Sequence, residues 1–136
     1  MTTQTEISLP PFKRGYHLIT HIIKNELQDI PENGLLNIFI KHSSAGITIN
    51  ENADPTVRID FESFMNDLIP ENHPLYRHTT EGADDMPAHL KASLMGSSVS
   101  IPITNGKLNL GTWQGIYLCE FRNYGGNRKI VMTVVS

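Results

Sequence analysis

The sequence predicts an α+β fold, one domain over residues 1–136, with mostly antiparallel sheets and about three helices. Three observations predict it. Period-two alternation of apolar residues recurs along the chain, as strands require. Three segments carry helix-start and helix-stop residues. Strands and helices come in blocks, not in the regular alternation that builds a parallel sheet. At 136 residues the chain is long enough for one core.

The elements follow in order. "TTQTEISLP" reads as an opening strand, stopped by Pro10 and Pro11. "YHLITHIIKNELQDI" places Ile19, Ile22, Ile23, Leu27 and Ile30 at helical spacing, and Pro31, Asn33 and Gly34 end that helix. "LLNIFIKH" puts Leu36, Ile38, Ile40 and His42 on one strand face, and "AGITINE" does the same for Ala45, Ile47, Ile49 and Glu51. Ser43, Ser44 and Gly46 could join these two strands as a tight hairpin.

Asp54-Pro55 is a helix start, an N-cap acid followed by proline at the first helical position. Val57, Phe61, Phe64, Met65 and Leu68 form the apolar stripe of that helix, and Pro70 closes it. "ENHPLYRHTTEGADD" is polar and long for an idle connector. "DDMPAHLKASLMG" is a short third helix, capped by Asp84 or Asp85 and ended by Gly96. "SSVSIPI", the arm "KLNLGTWQG" after an Asn-Gly turn, "IYLCEFRN" and "KIVMTVVS" complete the strands.

Composition excludes some functions. The net charge is −3 and no basic cluster occurs, which argues against nucleic acid as a partner. No apolar run approaches the ~20 residues that span a bilayer, and the N-terminus lacks the pattern of a secretory signal. Cys119 is the only cysteine, so no intrachain disulfide forms. The expectation is a soluble, cytoplasmic protein.

Several groups can carry chemistry. His42 ends an inward strand face, His78 ends the polar loop, and His89 lies in the first turns of the third helix. Imidazoles with nearby carboxylates, here Glu81, Asp84 and Asp85, suit a divalent metal such as Zn²⁺, whereas Mg²⁺ prefers oxygen ligands. Ser43 and Ser44 beside Gly46 offer backbone N–H groups to an anion, or form a turn. Glu51, with Asn50 and Asp54 beside it, continues an inward face as a candidate general base. A tight hairpin would put it roughly 13–17 Å from His42, so both would share a site only through a bulge, a long substrate or a neighbouring subunit. Trp113 and Gln114 sit between glycines, in the core or lining a ligand pocket. Arg122 pairs with Glu120 or meets an anionic ligand.

Three blocks, "HSSAGITINENADP", "HTTEGADDMPAHLKASLMG" and "LGTWQGIYLCEFR", closely resemble the YjbQ-like family in order and spacing. Members of that family are often labelled secondary thiamine-phosphate synthases. The resemblance covers nearly the whole chain. It implies sheets forming a β-sandwich, a homotrimer, and a polar pocket near the histidines that takes a metal or an anion. Its signature positions fall on His42, Asn50, Glu51, Asp54, His78, Glu81, Gly82, Asp85, His89, Trp113, Gln114 and Glu120.

Together these readings give a small metal- or phosphate-dependent enzyme. In the thiamine reading it joins an aminopyrimidine diphosphate to a thiazole phosphate. His42, His78, His89 and Asp85 are the expected metal ligands for Zn²⁺ or Mg²⁺, and Glu51 and Glu81 the expected catalytic carboxylates. Ser43, Ser44, Asn50, Trp113, Gln114 and Arg122 are expected to hold a small phosphorylated or anionic substrate. The alternatives are a metal-assisted hydrolase and a non-catalytic trimer that binds a metal or anion.

Overall fold

Two antiparallel sheets press their apolar faces together in the computed structural model, which describes all residues 1–136. The chain runs β1 (Thr2–Ser8), β2 (Gly15–Leu18), α1 (Thr20–Glu26), β3 (Asn33–Ile40), β4 (Ala45–Glu51) and α2 (Pro55–Leu68). It continues through α3 (Asp85–Met95), β5 (Ser98–Thr104), β6 (Lys107–Leu108), β7 (Gln114–Glu120) and β8 (Lys129–Val135). One sheet has the order β1-β8-β3-β5-β6 and the other β2-β7-β4. This is the single α+β domain expected from the sequence.

Alternation sets the layers. Leu36, Ile38 and Ile40 of β3 meet Ile47 of β4 and Ile116 and Leu118 of β7 in the main core. Each such side chain contributes about 1.5–3 kcal/mol by leaving water. The opposite face of β7 carries Tyr117 and Cys119, which pack with Phe121, Tyr16, Met65, Ala88 and Ala92 in a second cluster. The smaller sheet is therefore buried on both sides, under the larger sheet and under α2 and α3. Burial pushes the Cys119 thiol up, so it stays protonated and inert.

Four local expectations change. The reading of Tyr16 to Leu18 as helix gives way to β2, because these residues pair with β7, Tyr16 opposite Cys119. Helix α1 ends at Glu26, short of Leu27 and Ile30. The expected β3–β4 hairpin does not form. β3 lies between β5 and β8 in one sheet, while β4 pairs with β7 in the other, so Lys41–Ser44 carries the chain across the sandwich. The α2 stripe packs only in part: Met65 is buried and Phe61 packs on Tyr16, but Phe64 and Leu68 remain exposed, as does Ile59 outside the stripe.

Helix α3 is held close against β4. The amide of Ile47 donates to the Gly96 carbonyl at 3.1 Å. A Cβ on Gly46 would lie 3.0 Å from that carbonyl oxygen, so glycine permits the approach. This contact fixes the helix that carries the candidate site.

Candidate metal centre

Residues 85 and 89 are one helical turn apart, so Asp85 and His89 project from the same face of α3. His78 reaches them from the preceding loop. Asp85 Oδ2 lies 2.7 Å from His78 Nε2 and 3.1 Å from His89 Nε2. One ligand atom from each of these three residues lies within 4.8 Å of the other two. Glu81 stands at the edge, its Oε2 3.4 Å from His78 Nε2.

Two of the three groups, His89 and Asp85, are oriented from behind. His89 Nδ1 donates to the Ser43 carbonyl at 3.0 Å, which leaves Nε2 facing the cluster. The second oxygen of Asp85 accepts from Arg122 Nη1. Arg122 also donates from Nε to Asp84 Oδ2 at 2.9 Å and from Nη2 to the Glu81 carbonyl at 3.0 Å. One guanidinium thus ties together the start of α3 and the loop before it.

Asp84 occupies the N-cap position of α3 but makes no side-chain cap hydrogen bond. Its carboxylate instead accepts from Arg122 and from the Asn123 amide. Burial would raise the Asp85 carboxyl, but the hydrogen bond from His78 and the charges of His89 and Arg122 hold it below the ordinary range. Burial opposes ionisation of Asp84 too, and the bonds from Asn123 and Arg122 outweigh it.

The donor set fits zinc. Two imidazole nitrogens and one carboxylate oxygen are ligands zinc uses, and an imidazole held at its other nitrogen by a carbonyl is the usual orienting arrangement. Tetrahedral bonds of about 2.0–2.1 Å separate neighbouring ligand atoms by about 3.4 Å. The spacings of 2.7 and 3.1 Å from Asp85 Oδ2 to the two imidazole nitrogens lie somewhat below that value. The two nitrogens fit Mg²⁺ less well.

The other expected site residues are dispersed. His42 is half-buried, and its Nε2 accepts from the Lys129 amide at 2.8 Å. Burial and the neighbouring Arg128 keep its ring below the ordinary histidine pKa, so it stands as the neutral Nδ1–H tautomer outside the three-residue cluster. Ser44 gives its carbonyl to Arg128. Glu120 is fully buried and pairs with Arg128 through bonds of 2.8 and 2.6 Å. That pair is not legible in the sequence, where Arg122 stands as the nearer partner of Glu120.

Glu51, Asn50, Trp113 and Gln114 gather at the other end of the β4–β7 pair, where Glu51 lies opposite Gln114. Glu51 Oε2 accepts from the amides of Ala53 and Asp54, shaping the turn into α2. Asn50 Oδ1 accepts from the Glu51 amide. Trp113 is exposed and Gln114 Oε1 accepts from the Gly111 amide.

Two cavities flank the cluster. One of about 300 Å³ opens beside His78 and is lined by His73, Tyr76 and Gly82. The other, about 320 Å³, lies beyond Ser43 and is lined by His42, Ser93 and Ser97. In the sequence His73 reads only as part of a turn, and its Nδ1 does accept the Leu75 amide. Its position beside His78 depends on the folding of the whole loop.

The sequence matches the family model "UPF0047 protein YjbQ-like" over residues 5–136. It is 46% identical over 136 residues to the UPF0047 protein YjbQ of Escherichia coli O157:H7, covering 98% of each chain. The protein of the same name from Salmonella typhimurium is 48% identical over 136 residues, again 98% of each. A crystal structure of an uncharacterized YjbQ/UPF0047-family protein from Clostridium acetobutylicum superposes with a TM-score of 0.80 at 39% identity, covering 99% of both chains. A conserved hypothetical protein from Thermus thermophilus gives a TM-score of 0.82 at 33% identity, covering 93% of this chain and 97% of the other.

Proposed function

The chain belongs to the UPF0047 YjbQ-like family, and we propose that it is a small metal-dependent enzyme acting on a phosphorylated substrate. His78, Asp85 and His89 hold Zn²⁺ in this reading. One observation carries it. With His89 Nδ1–H committed to the Ser43 carbonyl, Nε2 faces the Asp85 carboxylate 3.1 Å away. Two electron-rich atoms stay in that arrangement only with a proton or a cation between them, and a second imidazole, His78 Nε2, converges on the same oxygen.

The bound ion would supply Lewis-acid stabilisation of charge on phosphoryl oxygens. The chain's own residues do the rest. Arg122 fixes Asp85 and the Glu81 carbonyl and so positions the ligands. Glu81, at the solvent edge of His78, is placed to take a proton from an incoming nucleophile. The cavity beside His78 receives the body of the substrate.

The finer reading is thiamine-phosphate synthesis. A carbon–oxygen bond to an aminopyrimidine diphosphate breaks, a thiazole phosphate nitrogen bonds to that carbon, and pyrophosphate leaves. In this reading the cation held by His78, Asp85 and His89 would supply the charge stabilisation that the leaving diphosphate needs. A metal-assisted hydrolase uses the same groups with water as the nucleophile.

We also propose a homotrimer, which would cover the exposed Ile59, Phe64 and Leu68 of α2. Sedimentation equilibrium tests it. No helix is long and apolar enough to cross a membrane; with its one free thiol, the proposed location is the cytoplasm.

The functional test is turnover of the two thiamine precursors and of a phosphoester panel by zinc-loaded protein, by chelator-treated protein and by His89→Ala. Turnover confined to the loaded wild type supports the reading. Turnover unaffected by both chelator and substitution overturns it.

A further inference from the structure

A third cavity, of about 430 Å³, lies at the end of the β4–β7 pair away from the metal cluster, between α1 and the segment joining β6 to β7. The register puts Ala45 opposite Glu120 at one end and Glu51 opposite Gln114 at the other. At ~3.3 Å per residue, the six steps from Ala45 to Glu51 separate the two ends by roughly 20 Å. The cavity therefore cannot share one small ligand with His78 and His89 of the same chain.

Its polar groups are biased toward donation. Lys24 lines the cavity, and its Nζ has no carboxylate or hydrogen-bond partner. Gln114 Oε1 is taken by the Gly111 amide at 2.8 Å, which leaves its Nε2 hydrogens free. His21 Nε2 accepts from Asn25 Nδ2 at 3.2 Å, so its proton sits on Nδ1. Several local acceptors are already used, the Asn52 side-chain oxygen and the Thr112 hydroxyl excepted. Asn52 Nδ2 donates to the Thr112 and Gln114 carbonyls at 3.3 and 3.2 Å, and Thr20 Oγ1 accepts from the Ile116 amide at 2.8 Å. No aspartate or glutamate lines the cavity. Beside these donors Leu18, Leu108 and Leu110 supply an apolar wall.

We propose that this cavity is a binding site for a small organic anion, a phosphate or carboxylate on a compact apolar body. The anion meets Lys24, the Gln114 amide and His21, and its body rests on the three leucines. A charge-assisted bond from Lys24 supplies most of the anion's hold, and the leucine wall selects organic over inorganic anions. Within one chain the site is separate from the metal centre.

The test is a titration of the ¹⁵N-labelled chain by NMR, with phenyl phosphate and with inorganic phosphate. Phenyl phosphate is expected to shift the Gln114 side-chain amide and the His21 ring saturably, at least ~5-fold more tightly than inorganic phosphate. Lys24→Glu, an exposed substitution, should weaken binding at least ~10-fold with the remaining spectrum unchanged. His89→Ala should leave the titration as it was. The proposal is overturned by the lack of any saturable shift at Gln114 and His21, by equal affinity for both probes, or by binding that survives Lys24→Glu. It is equally overturned if His89→Ala abolishes the shift, since the anion would then belong to the metal centre.

Discussion

His89 turns its Nδ1–H to the carbonyl of Ser43 at 3.0 Å, so the connection that carries the chain from one sheet to the other also orients a helix side chain. Neither residue could do this alone. The crossing places Ser43 beside α3, and the close packing at Gly46 holds the helix there.

Arg122 should behave as a positioning residue. It bonds Asp84, Asp85 and the Glu81 carbonyl together. Arg122→Met leaves two largely buried carboxylates without their cation and is expected to cost about 2–3 kcal/mol. Zinc affinity should fall about 10–100-fold, the scale for losing a group behind a ligand. Urea denaturation and a zinc titration on the same variant measure the two effects.

Arg128→Leu should be more damaging to the fold and neutral to the centre's chemistry. It strands Glu120, which is fully buried. The expected loss is about 3–5 kcal/mol. The double variant with Glu120→Leu should recover much of that loss, because the buried charge is then gone as well. A double variant no more stable than Arg128→Leu would contradict this account.

Lys91 predicts a pH dependence. Burial holds its ammonium down to about 8, the neighbouring Arg14 adding to the effect, although Nζ donates to Asn66 Oδ1 at 2.6 Å. Between that value and the ordinary lysine pKa the unfolded chain binds more protons than the folded one. Stability contributed at this site must therefore rise as pH rises through that window. The gain should be on the order of 1 kcal/mol between pH 7.5 and 9.5, read as the difference in urea stability between wild type and Lys91→Met. A difference that stays flat over the window would contradict it.

Glu51→Gln separates two roles. The carboxylate accepts two amides at the turn into α2. As a turn former it should cost about 0.5–1 kcal/mol and leave zinc binding unchanged. A loss of turnover of ~100-fold or more without loss of fold would instead restore it as a general base.

The sequence makes some of this legible. Asp54 and Pro55 mark the start of α2 correctly, because Asp54 Oδ1 does accept the Thr56 amide. Such signals are local. The partner of a strand is not: "LLNIFIKH" and "AGITINE" show which faces are apolar, but not that they belong to different sheets. Tyr16 to Leu18 mislead for the same reason, since pairing with β7, a hundred residues away, decides their conformation. At the site, His78, Asp85 and His89 are readable from a loop leading into a helix. The bond from Ser43 spans 46 residues and the bonds from Arg122 nearly 40, so only the folded chain reveals them.

Calorimetric titration of zinc into chelator-stripped protein tests the central claim most directly. The account predicts one ion per chain, with affinity reduced at least ~100-fold in His78→Ala and in His89→Ala while both variants remain folded. Absence of saturable binding, or wild-type affinity in either variant, would contradict it.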